Sequence, residues 1–153
     1  MATPSAPVLR GRPPRADAER ALLDAGREQL LAGGYAGLNL DRVAASAGVG
    51  KATAYRRFRN KADLATAVLA DATGPPPAPT GHLRDDLVAH LLHVERALGG
   101  RGLSVMAGVL AEETDDPALT GLHRRRIILP HATHARALME AAIERGELRD
   151  DPD

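Results

Sequence analysis

Two stretches of eight residues, about 40–47 and 51–58, are separated only by Gly48-Val49-Gly50 within N-L-D-R-V-A-A-S-A-G-V-G-K-A-T-A-Y-R-R-F-R-N-K (39–61). Both read as short helices, and a connection this brief leaves room only for a sharp inter-helix turn. Asn39 is placed to cap the first helix, and Gly48 to end it in a left-handed conformation. Leu40, Val43, Ala44 and Ala47 give that helix an inward face, with Ala44 small enough for its partner to approach closely. Val49 and Phe58, the only phenylalanine of the chain, are expected to plug the junction. The second helix keeps Lys51, Thr53, Tyr55, Arg56 and Arg57 for its outward side. Each can donate to a phosphate, and arginine can also bridge a guanine edge. One apolar seam and one donor-rich face are what a major-groove reader requires.

Charge distribution agrees, although the net charge is zero. Residues 1–62 carry a balance of +6 and residues 63–153 one of −6, so a basic module precedes an acidic one. The chain is rich in Ala, Leu and Arg, with 2% aromatics and no runs of β-branched residues, which predicts an all-α fold. The absence of cysteine excludes disulfides, thiolate metal sites and a cysteine nucleophile, and fits a reducing cytoplasm. No apolar run approaches the ~20 residues that span a bilayer, and the first residues lack a signal-peptide pattern, so no membrane partner is expected.

The expected organisation is an N-terminal three-helix helix-turn-helix domain joined to a C-terminal helical bundle. Residues 1–15 form a basic, Pro-rich leader, 16–73 the helix-turn-helix domain, 74–81 a Pro/Gly linker and 82–153 a helical regulatory and dimerisation domain. A first helix from Ala16 ends at Gly33-Gly34, and a fourth runs over about 61–73. Beyond the linker, Leu83 to Leu98 and Leu103 to Ala111 mark amphipathic helices. A long helix extends from Pro117 to about Glu144, is kinked by Pro130 and is closed by Gly146.

Residues 16–73 resemble the DNA-binding domain of TetR-type transcriptional regulators. Gly34-Tyr35 matches the Gly-aromatic end of that family's first helix. Ala44, Ala47, Gly48, Val49, Thr53, Tyr55, Phe58, Lys61 and Leu64 match its A-x-x-A-G-V-S-x-x-T-x-Y-x-x-F-x-x-K-x-x-L pattern position by position. The resemblance implies that Thr53 and Tyr55 contact the DNA backbone and that Lys61 holds a phosphate. It also implies that Lys51, Ala52 and Arg56 face the groove, with Asn39, Arg42 and Arg57 completing the contact set on double-stranded DNA. Gly50 stands where the family has Ser or Thr, leaving the second helix without a side-chain cap. Gly26 and Gln29 replace apolar residues of the first helix and are expected to loosen its packing.

Further readings attach to the ends. Arg10-Gly11-Arg12-Pro13 resembles the core of an AT-hook, so Arg10 and Arg12 are candidates for a minor-groove arm, the simpler reading being a basic tail with non-specific attraction. The resemblance implies that the C-terminal half binds a small-molecule inducer and forms a homodimer. Candidates to line a ligand pocket are Val105, Met106, Val109, Leu110, Ile127, Ile128, His131 and Leu138. Family members continue through two more helices that build the dimer interface, so the chain is expected to be shortened or to pair through other surfaces. All six histidines lie in this half. The pairs His90/His93 and His131/His134 have spacing a metal could share, but read more simply as core or interface histidines, and no metal or cofactor is expected. Arg124-Arg125-Arg126 reads as a solvated face paired with Glu112, Glu113 or Asp116. The expected function is a ligand-responsive repressor. An interaction protein that heterodimerises with a full-length relative is the alternative. No phosphate loop, Ser-His-Asp grouping or paired carboxylate points to an enzyme.

Overall fold

The computed structural model describes residues 15–97, 107, 110–111 and 117–149, and among these every regular element is helical. Helix α1 spans Arg15–Gly37 and breaks at Gly34 (φ 61°, ψ −167°), where the sequence predicts its end. It is followed by α2 (Leu40–Ser46), α3 (Lys51–Arg57), α4 (Lys61–Thr73) and α5 (Leu83–Ala97). The last stretch comprises α6 (Pro117–His123), a π-helical turn (Arg124–Ile128) and α7 (Leu129–Glu144).

The α1–α4 core forms around Leu22, Leu30, Tyr35, Val43, Ala44, Ala54, Phe58, Leu64 and Val68, all buried. Buried Ala44 and Ala54 keep both sides of the α2–α3 contact small, and Val49 is partly buried against the same core. At Gly48 the backbone turns with φ 64°, a conformation that strains any residue carrying a Cβ. The following amide of Val49 donates back to Ala44 O at 2.9 Å, closing α2.

Contrary to expectation, Gly26 and Gln29 tighten α1. A Cβ on Gly26 would lie 2.9 Å from Val68 Cγ2, so glycine is what lets α1 sit this close to α4. Gln29 Oε1 accepts from the Asn39 amide at 3.2 Å, tying α1 to the start of α2.

The core does not stop at α4. Leu119 of α6 and Ile127 of the π turn belong to the same buried cluster. Arg126 is not the solvated residue the sequence predicts. Its guanidinium crosses to α4, donating to Asp63 O at 2.6 Å and Thr66 Oγ1 at 2.8 Å while pairing with the Asp63 carboxylate at 2.6 Å. Asp63 in turn accepts from the Arg59 amide at 2.9 Å, and its own amide donates to Asn60 Oδ1 at 2.8 Å. One carboxylate therefore joins the end of the α3–α4 loop to the C-terminal half.

Pro130 is accommodated by the π turn immediately before it. An i→i−5 bond from the Leu129 amide to Arg124 O widens the helix where the proline ring would otherwise meet the carbonyl of Arg126. Farther on, the Glu147 amide reaches Ala142 O at 2.9 Å around Gly146, the expected stop. Glu147 Oε1 then accepts from the Leu83 amide at 2.8 Å, fastening the end of α7 to the beginning of α5. The linker side of α5 is held by buried Asp86. Its carboxylate accepts from the Thr80 amide (2.6 Å) and Thr80 hydroxyl (2.7 Å), and these bonds hold it below the usual carboxylate range. No helix among the described residues is long and apolar enough to cross a membrane.

Candidate nucleic-acid interface

Two caps and a turn aim the recognition surface. Asn39 Oδ1 accepts from the Arg42 amide at 2.9 Å, which fixes the first turn of α2. Asn60 does the same for α4, so Lys61 stands in the first turn of a firmly started helix. Its ammonium lies 4.0 Å from the centroid of the buried Tyr35 ring, a cation–π contact that directs the lysine while leaving its charge in place. Between these caps, α3 begins at Gly50 without any side-chain hydrogen bond at its cap.

On α3, Ala54 is buried and Phe58 follows it into the core, while Lys51, Ala52, Tyr55, Arg56 and Arg57 are exposed and Thr53 is half-buried. Arg56 donates to Thr53 Oγ1 at 3.3 Å. Arg57 departs from its exposed neighbours because it pairs with Glu19 of α1. Asn39 and Arg42 are exposed on the α2 side, and Arg42 donates to Gly37 O. Arg10 and Arg12 lie outside the described residues.

Asp41 is a participant the sequence reading passed over. Its Oδ2 is 2.7 Å from Lys51 Nζ, across the turn. Lys51 holds the carboxylate below its usual range, with Tyr55 acting in the same direction, and Asp41 raises both Lys51 and Tyr55. Ten residues separate Asp41 from Lys51, and only the folded turn brings them together.

The ligand-pocket candidates divide. Ile127 and Leu138 are buried and His131 is half-buried, whereas Leu110 and Ile128 are exposed, so the set does not share one wall. Val105, Met106 and Val109 lie outside the described residues. His131 and His134 of α7 stack against His90 of α5 with ring centroids 5.0 and 4.9 Å apart. Burial, then the neighbouring imidazoles, push His90 and His131 below the usual histidine range. Among the described residues no three histidines or carboxylates assemble as a metal site would require. An open groove of about 530 Å³ lies elsewhere, between α1, α4 and the end of α3, lined by Leu23, Phe58 and Ala67 with Glu19, Arg57, Asp71 and Arg126 at its edges.

Comparison with known proteins agrees with this arrangement. Residues 22–68 match the family of bacterial regulatory proteins of the tetR family, and residues 77–153 match the tetracyclin repressor-like C-terminal domain. The chain is 34% identical over 146 residues to the HTH-type transcriptional regulator YdeS of Bacillus subtilis (strain 168), covering 94% of this chain and 74% of that protein. It is 32% identical over 136 residues to the DNA-binding transcriptional repressor TetR of Mycobacteroides abscessus, covering 87% and 72% respectively. The crystal structure of a mutant HlyIIR protein superimposes with a TM-score of 0.57 over 91% of this chain and 78% of that one, at 16% identity, a likeness of fold alone. The chain belongs to the TetR family of bacterial regulatory proteins.

Proposed function

We propose that this protein is a transcriptional repressor that binds double-stranded DNA as a homodimer through α3 and lets go when a small molecule occupies its C-terminal half. The observation that carries the DNA reading is the face of α3. Lys51, Ala52, Tyr55 and Arg56 are exposed there, on a helix whose opposite side is anchored by Ala54 and Phe58. In this reading residues 16–73 are the DNA-binding domain, 74–81 the linker and 82–153 the regulatory and dimerising part. Thr53, Tyr55 and Lys61 hold backbone phosphates, Lys51, Ala52 and Arg56 face the groove, and Asn39, Arg42 and Arg57 add outer contacts. Arg10 and Arg12 reach a minor groove.

For the ligand response, Ile127, His131 and Leu138 are proposed to line the occupied region. A ligand changes DNA affinity only if it favours one arrangement of the two halves over the other. The Arg126–Asp63 contact gives the π turn a direct hold on α4 and so on the loop that follows α3. No catalytic role is assigned.

Titration of a labelled duplex by fluorescence anisotropy across salt concentrations tests the DNA contact. Neutralising four to six phosphates gives a slope of log K against log salt of about −4 to −5. Lys61→Ala flattens the slope by about one unit, and Tyr55→Ala and Lys61→Ala each weaken binding by roughly tenfold. Parent-like binding by both variants would rule out this surface.

A further inference from the structure

Asp41 stands in the first turn of α2, where an acid is favoured by the helix dipole alone. Its side chain does more than that position asks. Across the turn it meets Lys51 Nζ at 2.7 Å, and Tyr55, one helical turn beyond Lys51, lies near enough to act on the same carboxylate. Asp41 Oδ1 is shut off from solvent and has no donor in hydrogen-bonding geometry, so the ion pair from Oδ2 to Lys51 is the formed bond. Lys51 is also the first residue of α3, immediately after Gly50, a cap that offers no side-chain acceptor. The α3 N-terminus therefore lacks the usual tether, and Asp41 fastens that same turn from outside.

We propose that Asp41 is a positioning residue for DNA recognition. Its ion pair tethers the first residue of α3 and holds Lys51 toward the duplex before DNA arrives. This inference rests on the DNA reading above and deepens it. Lys51 is 69% exposed, so without a partner it would sample many rotamers that must be frozen on binding. Holding it in advance reduces that entropic cost. A carboxylate beside a phosphate-binding face also repels phosphates. The two effects have opposite signs in one variant, which makes the proposal decidable.

The experiment first enriches duplexes from a randomised pool with the wild-type protein, then measures affinity for an enriched duplex and a scrambled one of equal composition. Electrostatics alone predicts that Asp41→Asn binds both more tightly, with its preference kept. Positioning predicts that the preference for the enriched duplex falls by about fivefold while affinity for the scrambled duplex holds or rises. Asp41→Glu, which retains the charge, keeps the preference within about twofold of wild type. In a Lys51→Met background Asp41→Asn has no further effect on the preference, which a general loss of fold would not reproduce. An unchanged or increased preference in Asp41→Asn overturns the proposal, as does an undiminished loss in the Lys51→Met background. If the wild type enriches no duplex, the DNA reading falls and this one with it. If the wild type enriches duplexes and Asp41→Asn discriminates equally well, only the positioning role falls.

Discussion

The α2–α3 turn and the α5–α7 junction each bring titratable side chains from two helices together, and they treat charge in opposite ways. On α3, two cations meet acids at the surface: Lys51 with Asp41, and Arg57 with Glu19 of α1. At the junction like meets like, with His90 against His131 and His134 and burial depressing His90 and His131. The first arrangement keeps positive charge present and directed outward, as a nucleic-acid surface needs. The second disfavours the charged forms of His90 and His131 at the helix contact. A helix pair can be held by charge or by its absence, and the two choices respond differently to solution conditions.

The seam between these regions offers the largest test. Asp63 is the carboxylate that Arg126 reaches from the C-terminal half, and its side chain is 11% exposed. Asp63→Asn leaves a guanidinium without its counter-charge and lowers unfolding free energy by about 2 kcal/mol, less than a fully buried pair because Arg126 is partly solvated. Urea denaturation reads this as a lower midpoint. Because Leu119 and Ile127 share the core of α1–α4, the expected change is a shift of one common transition. Two separating transitions would show that the regions are held independently.

A smaller effect follows from the junction. Below the usual histidine value of about 6.5, the unfolded chain takes up protons that His90 and His131 resist in the folded state. The unfolded state then binds more protons, so stability falls as pH drops through that range and is restored above it. Thermal melts from about pH 7.5 to about pH 5.5 should show the melting temperature dropping by roughly a few degrees. His90→Gln makes that slope shallower, and an unchanged slope would remove the junction as its source. The smallest effect lies at the turn. Gly50 has extended dihedrals (φ −63°, ψ 140°) and open space where a Cβ would be. Gly50→Ser supplies the missing acceptor and stabilises by a few tenths of a kcal/mol, read as a slightly higher melting temperature. A destabilised Gly50→Ser would mean that the α3 cap was not the deficit it is taken for.

What could be read in the sequence was what is decided within a few residues. Asn39 capping α2, the reversal at Gly48, the span of α4 and the stop at Gly146 all follow from local hydrogen-bond supply and backbone sterics. The tilt of the exposed face of α3 follows from helical period. Partners set by folding could not be read this way. Arg126 finds Asp63 across 63 residues, a partner that no local spacing points to. Gly26 looked like a loss of packing because a missing side chain in one helix says nothing of a Val68 methyl supplied by another. Asp41 was visible within the motif, but its role needs the turn closed before Lys51 comes within reach. Pocket candidates chosen by hydrophobicity could not be sorted into Ile127, buried, and Ile128, exposed, without knowing which side of the helix meets the α1–α4 core.

That turn also governs angular register. A wider turn takes up one surplus residue without interrupting the rod, where an extra residue in a regular helix would rotate everything downstream by about 100°. The side of α7 that confronts α5 is therefore set by the width of that turn as much as by the residues on α7 itself. Losing a single residue between Arg124 and Ile128 would close the turn to an ordinary one and set the Pro130 ring against the carbonyl four residues before it, with His131, His134 and Leu138 unaltered.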